Sequence, residues 1–509
     1  MSEPLFLGMG QHPVTLLPRY GNRHGLVAGA TGTGKSVSLM VMAEAFSRIG
    51  TPVFVADVKG DIAGLAVPGT ESERLRGRLA TLGVADWRPE ANPVIFWDLF
   101  GQSGHPLRTT VSEMGPTLLA RVLELNDTQT GVLEVVFKLA DDEGLLLLDL
   151  DDLRALLSLA QENAKTISKQ YGLISSQSVS AIQRSLLRLE QAGGGHFFGE
   201  PALQLEDFMR QDMSGRGVIN ILAAEKLILS PRLYSSFLLW LLSELFENLP
   251  ELGDVAQPKL VFIFDEAHLL FDDCPPALRQ RVEQVVRLIR SKGVGVYFCS
   301  QQPDDVPSEV LSQLGNRIQH ALRAFTPRDQ KAVRVAAETF VANPAFKTAD
   351  AITQLAVGEA LVSTLQDKGV PMPVERTLMA APRCRMGAIS DEERATVRNR
   401  SPVGAKYDAG LNRESAYEIL SRRAEQAASA GPAADAESAG RPAARSTPAQ
   451  PAASEKQSSW LKDTLFGTGR RQGMIEATAK SAMRTVGNQL GRQLLRGILG
   501  SLSGSGSRR

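Results

Sequence analysis

The sequence predicts an α/β fold: a mostly parallel sheet flanked by helices, with an inserted helical subdomain, a disordered linker and a C-terminal amphipathic helix. Three observations predict it. An apolar strand, a glycine-rich turn and an amphipathic helix follow one another within residues 24–43. Short, mostly apolar runs recur at Pro52–Asp57, Val94–Asp98, Gly217–Leu222, Leu260–Phe264 and Val294–Cys299. Helix-forming stretches or loops separate these runs, as a doubly wound sheet requires.

The first element is the turn Gly29-Ala30-Thr31-Gly32-Thr33-Gly34-Lys35-Ser36, after His24-Gly25-Leu26-Val27-Ala28 and before Leu39-Met40-Val41-Met42-Ala43. It is a P-loop. Small residues let successive backbone N–H groups curl around a phosphate, and the helix N-terminus adds unpaired donors and the positive end of its dipole. Gly29, Ala30, Thr31, Gly32, Thr33, Gly34, Lys35, Ser36 and Val37 are the expected nucleotide-binding residues. Lys35 reaches the β- and γ-phosphates and Ser36 ligates Mg²⁺ in this reading.

Next comes Pro52–Asp57, a buried parallel strand whose end faces the ligand. Asp57 opens Asp57-Val58-Lys59-Gly60-Asp61, read either as a plain turn or as a turn that brings Asp57 and Lys59 to the nucleotide. From Arg108 to Ala192 apolar residues fall at three- and four-residue spacing in Glu113–Leu125, Thr130–Ala140, Leu150–Gln161 and Ser176–Gln191. This block carries no motif and reads as a helical insertion.

The sheet resumes at Gly217–Leu222, and Pro231–Asn248 is a helix with proline in its first turn. Leu260–Phe264 ends in Asp265-Glu266, a Walker B pair. Asp265 is expected to hold Mg²⁺ and Glu266 to polarise the attacking water. Val294–Cys299 ends in Ser300-Gln301-Gln302, where Gln301 is the expected γ-phosphate sensor and Ser300 and Gln302 are its rivals. Arginines can complete such a site from a neighbouring subunit; Arg290 and Arg317 are the chosen candidates, with Arg287 nearby. His24 and His268 have no ligand companion and read as structural. Thr326-Pro327-Arg328-Asp329 is a helix start, and Ala360–Leu365 with Val374–Leu378 forms a closing strand pair around a turn at Lys368-Gly369.

The domain boundaries follow. Residues 1–106 and 193–395 are two parts of one core, 107–192 the insertion, and 396–423 a short helical extension. Residues 424–458, rich in Ala, Pro, Ser and Gly, form a linker that cannot bury enough apolar surface to fold. Residues 459–509 are a basic amphipathic tail. There Lys480, Arg484, Arg492 and Arg496 fall at four-residue steps with Asn488 filling the gap, and Ala482, Val486, Leu490, Leu494, Ile498 and Leu502 do the same two residues out of phase. Two residues are about 200° of helix, so the rows lie on opposite faces. Such a helix can dock on its own core or another subunit, or lie on anionic lipid or nucleic acid. Gly487 and Gly491 form a G-x-x-x-G, but arginines every turn are costly at a bilayer centre.

The chain has 509 residues, 56 Lys+Arg and 56 Asp+Glu. That length allows about two to four domains, and the even balance gives no global electrostatic footprint for nucleic acid. Cys274, Cys299 and Cys384 contain no C-x-x-C, the pattern of a reduced, cytoplasmic protein without a metal centre. No signal peptide and no membrane-spanning run are expected.

Asn22-Arg23-His24-Gly25 before the P-loop, Asp57-x-Lys59-Gly60, Asp265-Glu266-Ala267-His268 and Ser300-Gln301-Gln302-Pro303 occur in the order seen in the HerA/FtsK branch of P-loop ATPases. Within that branch the chain resembles the bacterial HerA-like YjgR family, including the tail motif Gly469-Arg470-Arg471-Gln472-Gly473-Met474. The resemblance implies a RecA-like P-loop NTPase core, possible assembly into a hexameric ring, and Mg-dependent ATP hydrolysis at subunit interfaces. Relatives in the branch move double-stranded DNA, so the expected activity is that of a DNA translocase or helicase-like motor. The alternative is an ATP-dependent switch or scaffold that binds a partner protein or an anionic membrane surface through the tail.

Overall fold

The computed structural model describes residues 3–271 and 276–429. The expected linker beyond Ser429, the amphipathic tail and Cys274 lie outside the described residues. The chain divides into two compact units: Met1–Met114, Arg121–Glu124 and Leu187–Asn412 in one, Gly115–Ala120, Leu125–Leu186 and Arg413 onward in the other.

The first unit carries a twelve-stranded sheet. In chain order its strands are β1 (Leu5–Met9), β2 (Pro13–Leu16), β3 (Gly25–Ala28), β4 (Val53–Asp57), β5 (Val94–Asp98), β6 (His105–Pro106), β7 (Ile219–Ala223), β8 (Leu260–Phe264), β9 (Val294–Ser300), β10 (Asn316–His320), β11 (Glu359–Ser363) and β12 (Glu375–Met379). Their spatial order is β2-β1-β12-β11-β10-β3-β9-β8-β4-β7-β5-β6. From β10 to β6 every pairing is parallel, and from β10 outward to β2 every pairing is antiparallel.

The continuous apolar runs of β4, β8 and β9 are buried along their whole length, because a parallel sheet is covered on both faces. One face packs on the helix Lys35–Arg48. Leu39, Met42 and Phe46 from that helix join Val27, Val55 and Ile263 in a common core. Leu39 and Phe46 are fully buried, and each such side chain contributes about 1.5–3 kcal/mol. On the other face, Phe262, Phe264 and Phe298 stack in sequence at centroid spacings of 5.8 Å. The helix Pro231–Asn248 packs there against Pro276–Ile289.

The strand register decides what the fold does. Ala28 is level with Ser300, Phe298 with Phe264, Phe264 with Ala56, and Ala28 with Gln319. The carboxyl ends of β3, β4, β8, β9 and β10 therefore share one edge of the sheet, where open α/β sheets bind ligands. The expected closing pair is present as β11 and β12, and Thr326 starts the helix Pro327–Glu338 with a capping box to Asp329.

The second unit is helical. Asp127–Glu143 is opened by an Asn126–Gln129 capping box and closed by Gly144 at φ 63°, where glycine is favoured. Leu150–Glu162, Ala164–Tyr171 and Ser176–Leu189 follow. Ala164–Tyr171, which apolar spacing did not reveal, buries only Ile167. The helix Ala416–Ser429 belongs to this unit: Asp152 Oδ1 accepts from Ser415 Oγ at 2.6 Å and from the Tyr417 N–H at 2.8 Å. It runs past the boundary expected at residue 424 because these bonds and its packing on Leu150–Glu162 support it.

Candidate active site

The P-loop leaves β3 through three glycines with positive φ: Gly29 at 152°, Gly32 at 76° and Gly34 at 111°. It is pinned on both sides. The Gly29 N–H donates to Ser300 O at 3.2 Å, the Ala30 N–H to Ala321 O at 2.8 Å, and Thr33 O accepts from the Gly358 N–H at 2.9 Å. Lys35 is buried, its ammonium donating to the carbonyls of Gly29 at 2.7 Å and Ala30 at 3.2 Å. Gly34 caps the following helix without a side-chain hydrogen bond, so the first-turn donors remain available to an anion. Thr31 and Gly32 are exposed, and Ser36 and Val37 are half-buried.

Asp265 and Glu266 stand two strands away, just beyond β8. Asp265 is 2% exposed. It takes a hydrogen bond from the Cys299 thiol, and its Oδ2 has no protein partner. Burial, reinforced by the adjacent Glu266 charge, pushes its carboxyl above the usual carboxylate range. A buried carboxylate oxygen without a partner is costly, and a divalent cation supplies what it lacks. The donor set therefore fits a nucleotide phosphate with Mg²⁺.

Glu266 has φ 49° and ψ 56°, a left-handed conformation that costs a non-glycine residue about 1–3 kcal/mol. Its carboxylate is paired with the Lys59 ammonium on Oε1. Oε2 accepts from Gln301 Nε2 at 3.4 Å and lies 3.3 Å from His268 Nδ1. Burial alone raises its pKa; the Lys59 hydrogen bond and charge outweigh burial and bring it below the usual range.

Of the three residues closing β9, the Ser300 hydroxyl donates to Asp305 Oδ2 and the Gln302 N–H donates to the same oxygen at 3.0 Å. Gln301 is exposed and its amide reaches Glu266.

A model of the helicase HerA-like C-terminal family matches residues 6–509. The chain belongs to this family. Solved structures also match the chain. The bacterial conjugative coupling protein TrwB, in an unbound form, is 14% identical over 75% of this chain and 91% of its own, with a TM-score of 0.50. VirB4 of Thermoanaerobacter pseudethanolicus is 15% identical over 75% and 97%, with a TM-score of 0.47. TrwB with ADP and Mg²⁺ is 17% identical over 76% and 92%, with a TM-score of 0.44. The fold argument rests on the first. No curated protein matches. The HerA-like chain thus has the RecA-like ATPase fold that its motif order implied.

Around the HerA-like site the structure adds detail to Asp57, Lys59, His268 and His24, and it brings in His320, which the sequence reading missed. Asp57 organises its turn, accepting from the Gly60 N–H at 2.8 Å and the Ile62 N–H at 3.2 Å, and so presents Lys59. Its own pKa is pushed up to about 7 by burial and by Asp61 and Glu225. His268, read as structural, faces Glu266. His320, at the end of β10, lies buried beneath the P-loop with Nε2 2.9 Å from Ser38 Oγ. Burial and then the Lys35 charge lower its pKa to about 4, so it stands neutral beside the ammonium. His24 is a buried core histidine whose Nδ1 accepts from the Val296 N–H at 3.0 Å.

The structure does not bring Arg290 or Arg317 to this edge within the chain. Arg290 precedes β9, and Arg317, level with Leu26, lies near the amino end of β10. Arg317 donates to the carbonyls of Leu311 at 3.1 Å and Leu314 at 3.2 Å. Among the described residues no helix is long and apolar enough to cross a membrane.

Proposed function

We propose that this HerA-like chain is a Mg-dependent ATPase that acts, as a cytoplasmic homo-oligomeric ring, on double-stranded DNA. The observation that carries the reading is the shared edge of the parallel sheet. It aligns a P-loop, a buried carboxylate lacking a partner, a second carboxylate in a left-handed backbone conformation, and a glutamine that reaches it. Residues 1–106 and 193–395 form the ATPase core in this reading, with 107–192 inserted.

The P-loop N–H groups and Lys35 would bind the phosphates of ATP, and Ser36 with Asp265 would hold Mg²⁺. The cation supplies charge neutralisation for phosphoryl transfer to water. Glu266 takes the proton of the attacking water as its oxygen bonds to the γ-phosphorus, and ADP departs with the electron pair of the broken P–O bond. Gln301, touching Glu266, is placed to report the γ-phosphate to the base. Arg290 and Arg317 remain candidates only for a neighbouring subunit's site.

The test is steady-state phosphate release by the full chain, sized by light scattering, with and without duplex DNA and with EDTA. A motor gives Mg-dependent turnover that duplex DNA accelerates in a salt-sensitive way. Hydrolysis undiminished by Glu266→Gln would falsify the assignment of the base, and turnover indifferent to DNA at every salt concentration would remove the motor.

A further inference from the structure

The carboxylate placed to act as general base is fully engaged. The Glu266 side chain is 4% exposed. Lys59 occupies one oxygen, and Gln301 and His268 face the other. A cation on a carboxylate stabilises its charge and weakens its hold on a water proton. The partners differ in freedom. The Glu266 side chain is held by its left-handed backbone and its burial. Lys59 stands on the tip of the Asp57-centred turn, its side chain 42% exposed on four rotatable methylenes. Of the two members of the pair, the lysine is the one able to leave.

We propose that Lys59 is a positioning residue that restrains Glu266 and releases it when a phosphate oxygen takes over its ammonium. The inference rests on the ATPase reading above and adds control of its base. The exchange conserves charge locally: one anionic oxygen replaces another on the same cation, and only hydrogen bonds are remade. The freed Glu266 oxygen then faces the attacking water while Gln301 still holds the other. Two sources can provide the phosphate oxygen, the backbone of duplex DNA or the γ-phosphate of the bound nucleotide; the latter competes with Glu266 for Lys59 in each turnover, so the pair still restrains the DNA-free rate.

The test uses the full chain with ATP and Mg²⁺ and compares the parent with Lys59→Met, Lys59→Arg and Glu266→Gln. Phosphate release gives kcat, and titration with a fluorescent mant-ADP gives nucleotide affinity. Removing a charge-assisted hydrogen bond whose cation is half in water is expected to raise DNA-free kcat by about tenfold. The mant-ADP affinity stays at the parent value, a split that a merely structural role would not produce. Lys59→Arg keeps the pair and stays near the parent rate. If Lys59→Met fails to bind mant-ADP, Lys59→Gln is read in its place. Duplex stimulation that the parent shows and Lys59→Met loses identifies the DNA backbone as the source; any other duplex response identifies the nucleotide. A Lys59→Met rate at or below the parent, with Glu266→Gln inactive, overturns the inference alone. Full activity in Glu266→Gln overturns the underlying reading instead.

Discussion

Replacing Gly29 by alanine probes how tightly the P-loop is built into the sheet. A Cβ at this position would stand 2.5 Å from the Cβ of His320 and 3.1 Å from its Cα. The loop cannot swing away, since the N–H groups of Gly29 and Ala30 are bonded to Ser300 and Ala321 on opposite neighbours. Two costs add. The backbone sits at φ 152°, which costs an alanine about 1–3 kcal/mol, and forcing a methyl into a packed contact costs about 1–3 kcal/mol more. The expected loss is thus about 2–6 kcal/mol by these two terms. Gly32→Ala is the control: its φ of 76° is also unfavourable, but no atom lies within 4 Å of its Cβ, leaving about 1–2 kcal/mol. Urea denaturation followed by the fluorescence of Trp97 and Trp240, both buried in the sheet-bearing unit, measures the difference. Equal losses in the two variants would show that His320 does not bear on the loop and would refute the packing argument.

Glu266→Gln should lower kcat by about 10²–10⁴ while mant-ADP still binds, because the P-loop is untouched. Lys35→Ala removes a cation held on the carbonyls of Gly29 and Ala30 and should abolish detectable mant-ADP binding in the same titration. Acid should weaken the fold through His24, whose burial lowers its pKa to about 4. Because the folded value lies below the unfolded 6.5, its stabilisation is complete above pH 6.5 and is lost as the pH falls through 4. The loss amounts to about 3 kcal/mol at the acid end. His24→Asn should flatten thermal-denaturation midpoints across that window, and an unchanged acid slope would remove His24 as the cause.

Residues 24–43 were legible from the sequence because a P-loop is local: its glycines, lysine and helix start are consecutive, and their backbone geometry is dictated within eight residues. The runs that became β4, β5, β8 and β9 were legible for the same reason, each being a short apolar stretch buried on both faces. Asp265-Glu266 and Gln301 could be assigned to strand ends by position alone. Which of Ser300, Gln301 and Gln302 reaches Glu266 could not be read there, because it depends on Asp305 bonding the other two. His268 looked bland in sequence because its partner is a side chain two residues back across a left-handed turn that only the fold imposes. The helix Ala416–Ser429 was cut short because its support comes from Asp152, far away in the chain.

By itself the sequence determined the chemistry on offer: a phosphate-binding loop, an acidic strand end and a polar strand end, in the order of a HerA-like ATPase. The tertiary structure decided which of these groups meet. Lys59 and Glu266 are 207 residues apart, and Ser38 and His320 are 282 apart. Their encounters are set by the parallel register that levels Ala28 with Ser300 and Ala56 with Phe264. Strand order and register come from long-range packing of both faces of the sheet, which no local periodicity encodes.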